Sequence, residues 1–214
     1  MQEMFKQLVK NQVKPLFAKR GYAKKKMDFL KVQNNLLYSF NLQKSHGNSA
    51  GQVMFYVNCG IYSPELAQWW ADPAALTALS ASSAASLPSV SAVSDPYSVA
   101  PQFTARIEEV VPEAPARYSL TSDVEPEAIG KELTRHLAEA VDFLEGITDT
   151  RAILDYYRER VALHLSEENL RYLLHHKERE TADQYMQQLQ AKYGAEQRWT
   201  IWDAKYRAIY AELA

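Results

Sequence analysis

The sequence predicts an α+β fold: an antiparallel sheet of four or five strands with helices packed on one face, followed by an all-helical C-terminal tail. Three observations carry this. Between Met27 and Ser63 apolar residues recur at every second position. On either side, over 2–20 and 126–145, they recur at spacings of three and four. From 149 to the C-terminus the helical spacing continues without a strand pattern. The 214 residues then divide into an α+β domain over 1–148, carrying an Ala/Ser-rich insertion near 74–94, and a helical extension over 149–214.

The first helix is read over 2–20. Met4, Phe5, Leu8, Val9, Val13, Leu16 and Phe17 fall on one stripe. Pro15 lies inside it and removes a backbone donor, so a kink or a split is expected there. Gly21 follows Lys19-Arg20 as a stop signal. Met27–Val32 is a strand candidate, closed by the turn residues Gln33-Asn34-Asn35. In the next strand Leu36, Tyr38, Phe40 and Leu42 alternate with Leu37, Ser39, Asn41 and Gln43. After the loop 45–51, Val53, Phe55, Val57, Cys59 and Ile61 alternate with Met54, Tyr56, Asn58, Gly60 and Tyr62. Bringing the two apolar faces together requires paired positions with an odd sum, for example Phe40 opposite Phe55.

Pro64–Trp70 reads as a short helix ending near Asp72-Pro73. The stretch 74–94 holds seven Ala and seven Ser and reads as a functional lid, an insertion or a mobile linker, or, from its Ala richness, as partly helical. Phe103–Val111 alternates weakly and Arg117–Thr121 is a further strand, the two forming a hairpin. A helix follows with Pro126 in its first turn, Gly146 at its end, and Ile129, Leu133, Leu137, Ala140, Val141 and Leu144 as its stripe. Four helices complete the chain. Ser166 is expected to cap the second, Thr181 with Gln184 to form a capping box for the third, and Trp199, Trp202, Tyr206 and Tyr210 to stripe the fourth.

Charge is uneven. The totals are 24 basic and 26 acidic residues, a formal net of -2. Residues 1–50 nevertheless hold ten basic residues against two acids. The rest of the chain is acidic by the same margin and a little more. The basic cluster Lys19, Arg20, Lys24, Lys25 and Lys26, with Tyr22 as a stacking aromatic, is the candidate nucleic-acid surface. The overall balance argues against that use, and a solvated helix end is the preferred reading.

Chemistry-bearing motifs are sparse. One cysteine, Cys59, excludes an intrachain disulfide, and its place on the apolar side of its strand makes a buried, inert thiol the expectation. No P-loop, G-x-G-x-x-G, G-x-S-x-G or HExxH occurs. His164, Glu168 and His175 would share a face only on an unbroken helix, and Ser166 argues against one. No metal and no cofactor are therefore expected. Glu108-Glu109 read as surface acids. The polar side of the central strands brings together Asn41, Gln43, Tyr56 and Asn58, with Lys44 at the strand end. These are the ligand-binding candidates. Trp69 and Trp70 are the candidates for a protein interface. No run is long and apolar enough to span a membrane, and the first residues lack a signal-peptide pattern, so a cytoplasmic location is the expectation.

Three segments occur in a recognisable order: Lys19-Arg20-Gly21-Tyr22-Ala23-Lys24-Lys25-Lys26, then Asn41-Leu42-Gln43-Lys44-Ser45, then Phe55-Tyr56-Val57-Asn58-Cys59-Gly60-Ile61. Over about residues 2–145 the chain resembles the bacterial family known as domain of unknown function 4304. The resemblance implies an α+β fold and transfers no catalytic residue. The leading functional expectation is a non-enzymatic binding protein with a protein partner. By analogy of fold it would be immunity-like or accessory to a toxin, with a homo-oligomer as an open possibility. The alternative is a small-ligand-binding or enzymatic domain using the polar sheet face. Nucleic-acid binding through the basic cluster is third.

Overall fold

A computed structural model describes residues 1–71, 89–123 and 125–213. The chain divides into two compact units, Met1–Pro64 with Pro88–Thr148 and Glu65–Leu87 with Asp149–Ala214.

The first unit is an antiparallel sheet with helices on one face. Its strands are β1 (Ala23–Lys25), β2 (Asp28–Gln33), β3 (Leu36–Lys44), β4 (Gln52–Tyr62), β5 (Phe103–Arg106) and β6 (Tyr118–Thr121). The order is β1-β2-β3-β4-β5, with β6 also paired to β4. Among the described residues the sheet has six strands because Ala23–Lys25, whose residues are all exposed, pairs along its backbone with β2. No apolar alternation marks it in the sequence. Lys26, at φ 56°, makes the tight turn into β2. Asn34 and Asn35, both at positive φ, make the β2–β3 turn, as their tolerance of the left-handed region permits.

The β3–β4 register has the odd sum that the alternation requires, but it differs from the pair expected. Phe40 lies opposite Cys59, and Phe55 opposite Lys44. Hydrophobic parity fixes which face is inward. It leaves sliding by two residues free, and the loop between the strands decides that.

The expected hairpin of the fifth and sixth strands does not form. Both lie along the same edge of β4: β5 pairs with Asn58–Ile61 and β6 with Gln52–Phe55. Between them Ile107–Val110 is a helical turn rather than a continuation of the strand. Glu109 causes the switch locally, its Oε1 accepting the Arg106 backbone N–H at 2.9 Å.

The helical layer begins with α1 (Gln2–Leu8), continues as a π-helical stretch Val9–Val13, and ends as α2 (Lys14–Lys19). Pro15 accounts for the widened turn. It has no N–H for the Asn11 carbonyl, and the Lys14 N–H donates five residues back to Val9 instead. The helix is re-wound rather than broken, so Phe5, Leu8, Val9, Val13 and Phe17 all stay buried. Phe17 stacks on Phe29 at 4.3 Å between ring centroids and meets Phe40 at 5.0 Å. Phe5 meets Phe55 at 5.0 Å. The four-residue helix Ile107–Val110 is α4, after α3 (Pro64–Ala71). Next, α5 (Pro126–Gly146) buries Leu133, Leu137, Ala140, Val141 and Leu144 as its stripe requires.

The other face of the sheet is partly roofed. Val90, in a short 3₁₀ turn (Val90–Ala92), packs with Leu30 and Leu37, and Tyr62, Tyr97 and Val99 close the cluster. The expected Ala/Ser insertion lies mostly outside the described residues.

The second unit is helical: α6 (Thr150–Glu159), α7 (Ser166–His175), α8 (Arg179–Tyr193) and α9 (Trp199–Leu213), preceded in the chain by α3. Asp149 caps α6 by accepting the Ala152 N–H. Two expected caps are absent. Ser166 turns its hydroxyl to the Leu163 carbonyl and to Tyr206, because Leu165 holds the cap position in a left-handed conformation. Helix α8 starts two residues before Thr181, with Glu178 at its cap position. Leu170, Leu173, Tyr185, Leu189, Trp199, Tyr206 and Ile209 form the core of this unit. Arg151 clasps Glu178 with two hydrogen bonds of 2.6 and 3.0 Å, a fork-to-carboxylate geometry that ties α6 to the start of α8.

Candidate functional site

The polar side of the central strands forms the floor of a cleft of about 550 Å³. Strand geometry dictates its composition. Because Phe40, Leu42, Val57 and Cys59 face the helices, Ser39, Asn41, Asn58 and Gly60 must face away. The pairing of Asn58 with Arg106 and of Gly60 with Thr104 adds the outward residues of β5 to the same floor. Asp28, opposite Asn41 on β2, adds a carboxylate. Pro96, Tyr97, Val99 and Pro101 form the wall that overhangs it.

The floor is a linked chain of polar groups. Asn41 Nδ2 donates to Asp28 Oδ1 at 2.6 Å. Asn58 Nδ2 donates to Asn41 Oδ1 at 3.2 Å and to Gln43 Oε1 at 3.0 Å. Each side chain is thereby held in one orientation, as a pre-organised binding surface needs. At one end the Arg106 guanidinium lies over the Tyr56 ring, 4.6 Å from its centroid. Its Nη1 is buried without a hydrogen-bond partner. A buried donor nitrogen without a partner is costly, so this end of the half-buried guanidinium is open to an acceptor.

Of the ligand candidates, Asn41 and Asn58 line the cleft. Gln43 and Tyr56 support it from beside, through Asn58 and Arg106. Lys44 does not belong with them. It shares the parity of Leu42, so it lies on the helix side, where its amine donates to Gln2 Oε1 at 2.7 Å and sits 5.0 Å from the Phe5 ring. Asp28 and Arg106 are the residues that sequence reasoning missed. Arg106 was legible as an outward residue of a weakly alternating strand. Its place beside Asn58 depends on a strand pairing between residues far apart in the chain.

The basic cluster is dispersed. Arg20 pairs with Asp142 at 2.7 Å, and Lys25 with Asp95 at 3.5 Å. Lys19, Lys24 and Lys26 are exposed. Tyr22 cannot stack on a base. It is 5% exposed and packs edge-on against Phe17 and Phe40, and burial pushes its hydroxyl pKa up. The side chains of Trp69 and Trp70 lie outside the described residues, though both belong to α3. Cys59 is buried on the helix side, and burial pushes its thiol up, which keeps it protonated and inert. His164 precedes α7, with its ring edge-on to Tyr157 at 4.6 Å. The left-handed Leu165 breaks the helix that would align it with Glu168 and His175. Among the described residues no three potential ligands gather into a metal site, and no helix is long and apolar enough to cross a membrane.

Comparison with curated proteins and with solved structures returns no match. A family model does match, over residues 13–159, beginning within the π-helical stretch and reaching through α6. This is more than half of the chain, and it takes in the sheet, the cleft and the helix that caps the first unit. The chain therefore belongs to the family described as Domain of unknown function (DUF4304).

Proposed function

We propose that the first unit binds a small polar molecule in the cleft on the outer face of its sheet, and that the ligand presents an acceptor to Arg106. The observation that carries this reading is the buried, unpartnered Arg106 Nη1 at the end of an ordered Asp28–Asn41–Asn58 chain. A fold-stabilising network of this size would be expected to satisfy its own cation. The volume suits a metabolite rather than a macromolecule. Rigid amide donors and acceptors on neighbouring strands supply selectivity, and the overhanging Tyr97 and Pro101 supply apolar contact. The protein-partner expectation rested on analogy of fold, and the side chains of its interface candidates, Trp69 and Trp70, lie outside the described residues.

The test is a thermal-shift screen of the full chain against a panel of amino acids, dicarboxylates, sugars and nucleosides. A ligand of the cleft raises the melting temperature of the wild type. Its effect is lost in Arg106→Ala and in Asn58→Ala while both variants stay folded. Stabilisation by panel members that survives both substitutions would defeat the reading, as would no stabilisation by any of them.

A further inference from the structure

A second feature lies on the opposite side of the sheet, against the re-wound N-terminal helix. The surplus of basic residues in the first fifty does not spread evenly once folded. Arg20, Lys25 and Lys31 are neutralised by Asp142, Asp95 and Glu145. Seven basic residues remain, and four of them gather at one place. Lys6, Lys10, Lys14 and Lys24 surround a groove of about 410 Å³ floored by Val9 and Met27. Glu3 is the acid at its edge. It engages Lys6 at 3.4 Å, and its carboxyl is held below the usual range by hydrogen bonds from Gln7 and Lys6 and by the Lys6 and Lys10 charges. Lys10 and Lys14 form no ion pair among the described residues. Lys24 turns its amine to the Lys26 carbonyl.

Like charges four residues apart destabilise a helix, and here Lys6, Lys10 and Lys14 repeat that spacing twice. The π-helical turn at Val9–Val13, which Pro15 accounts for, falls in the same stretch. Lys6, Lys10, Lys14 and Lys24 all line the one groove, so their ammonium groups can converge on the oxygens of one short chain of phosphoryl groups. Lysine suits this task, being a compact point charge on a long flexible stem.

We propose that this groove binds a multiply phosphorylated small molecule, with Lys10 and Lys14 as its principal contacts and Lys6 and Lys24 closing on either side. The site is separate from the cleft at Arg106. Its volume holds an oligophosphate and its charges are too few and too local for a nucleic-acid track.

Inorganic triphosphate is the probe, titrated into the full chain by calorimetry at low ionic strength. Binding is expected to weaken about tenfold or more in Lys10→Gln/Lys14→Gln, and to weaken with added salt as screening grows. Lys19→Gln/Lys26→Gln removes the same charge from exposed sites outside the groove and is expected to leave the affinity unchanged. So is Arg106→Ala, which separates this site from the cleft. Equal weakening in both lysine pairs would mean diffuse attraction and overturn the proposal. So would no binding of triphosphate to a folded wild type. Tighter binding of a short single-stranded oligonucleotide than of triphosphate would overturn it in favour of a nucleic-acid surface.

Discussion

The two faces of the central sheet come from the same residues in alternation, yet they are built to opposite rules. Toward the helices, β3 and β4 present Tyr38, Phe40, Leu42, Val53, Phe55 and Val57, each at most 1% exposed. Away from them the same strands present Ser39, Asn41, Gln43, Tyr56 and Asn58, half-buried or exposed, with Asn41, Gln43 and Asn58 tied by hydrogen bonds. The first face obtains its order from close packing of large rings, the second from satisfied polar pairs. A protein that needed only a sheet would leave the second face to water. Here a segment carrying Val90, Tyr97 and Val99 folds back over part of it and leaves a bounded cleft.

The largest expected effect therefore belongs to the packed face. Phe40→Ala removes a ring that meets Phe17 at 5.0 Å and Tyr22 at 5.7 Å. It should lower unfolding stability by about 3–5 kcal/mol, the range for a buried aromatic truncated in a rigid core. Asn58→Ala, on the adjacent row but facing outward, should cost only about 1 kcal/mol. Urea denaturation of both variants measures the contrast. Equal losses would mean that the polar network is as much a part of the core as the rings are.

Next comes the seam where the roof touches the outer face. Gly60 sits at that point. A Cβ there would lie 2.7 Å from Ser39 Oγ and 2.8 Å from Pro101 Cγ. Gly60→Ala should cost about 1–3 kcal/mol by overpacking. Part of the strain falls on Pro101, so the variant should also admit the ligand proposed for the cleft more weakly. A Gly60→Ala protein with unchanged stability would show that the roof yields freely.

Much of the packed face was legible in the sequence, and less of the cleft was. Alternation over Met27–Ser63 is a local property, and so are the stripes of α5 and of the N-terminal helix. Each follows from side-chain direction alone. Parity even places Lys44 with Leu42 on the helix side, though grouping it with Asn41 and Gln43 by sequence proximity obscured that. The cleft depends on facts with no local signature. Arg106 reaches Asn58 because β5 pairs with one half of β4 and β6 with the other, and the turn at Glu109 that separates them interrupts an alternating pattern. The register of β3 on β4, displaced from the Phe40–Phe55 pairing, is set by the loop after Lys44. The failed caps at Ser166 and Thr181 show the same limit, since a left-handed Leu165 and a start at Arg179 follow from tertiary packing that overrides a capping preference.

A third prediction separates the faces by acidity. His136 on α5 is fully buried on the helix side of the sheet. Its Nδ1 lies 2.8 Å from the Tyr118 hydroxyl and its Nε2 lies 2.8 Å from Arg135 Nη2. Arginine only donates, so Nε2 accepts and the ring is neutral, with its proton on Nδ1. Burial, reinforced by the Arg135 charge, holds its pKa below 6.5. The carboxylates of Glu132, Glu139 and Glu113 oppose this without reversing it. The unfolded chain takes up the proton at the ordinary value and the native state resists it. Stability should therefore be full above about pH 6.5 and decline as the pH falls from there through the folded-state value. His176, whose pKa is also lowered by burial, adds to the decline. Melting temperatures should be lower at pH 5.5 than at pH 7.5, with a smaller difference in His136→Gln. An unchanged difference would assign the effect to His176 instead.

The smallest effect is expected where a second glycine looks as crowded as the first. A Cβ on Gly130 of α5 would fall 1.9 Å from Oε1 of Gln12, in the π-helical stretch, a closer approach than at Gly60. Yet the obstructing atoms here are the end of a flexible amide, whereas at Gly60 they include a proline ring in the roof as well as the Ser39 hydroxyl. The Gln12 side chain can rotate toward solvent. Alanine then adds about 1 kcal/mol of helix propensity against the loss of the amide's packing. Gly130→Ala should accordingly change stability by no more than about 0.5 kcal/mol in either direction, measured in the same urea titrations as Gly60→Ala. A loss comparable to that of Gly60→Ala would mean that the π-helical turn is clamped on α5 through Gln12. The widened helix and the lysine groove beside it would then be fixed by packing against α5 as well as by Pro15.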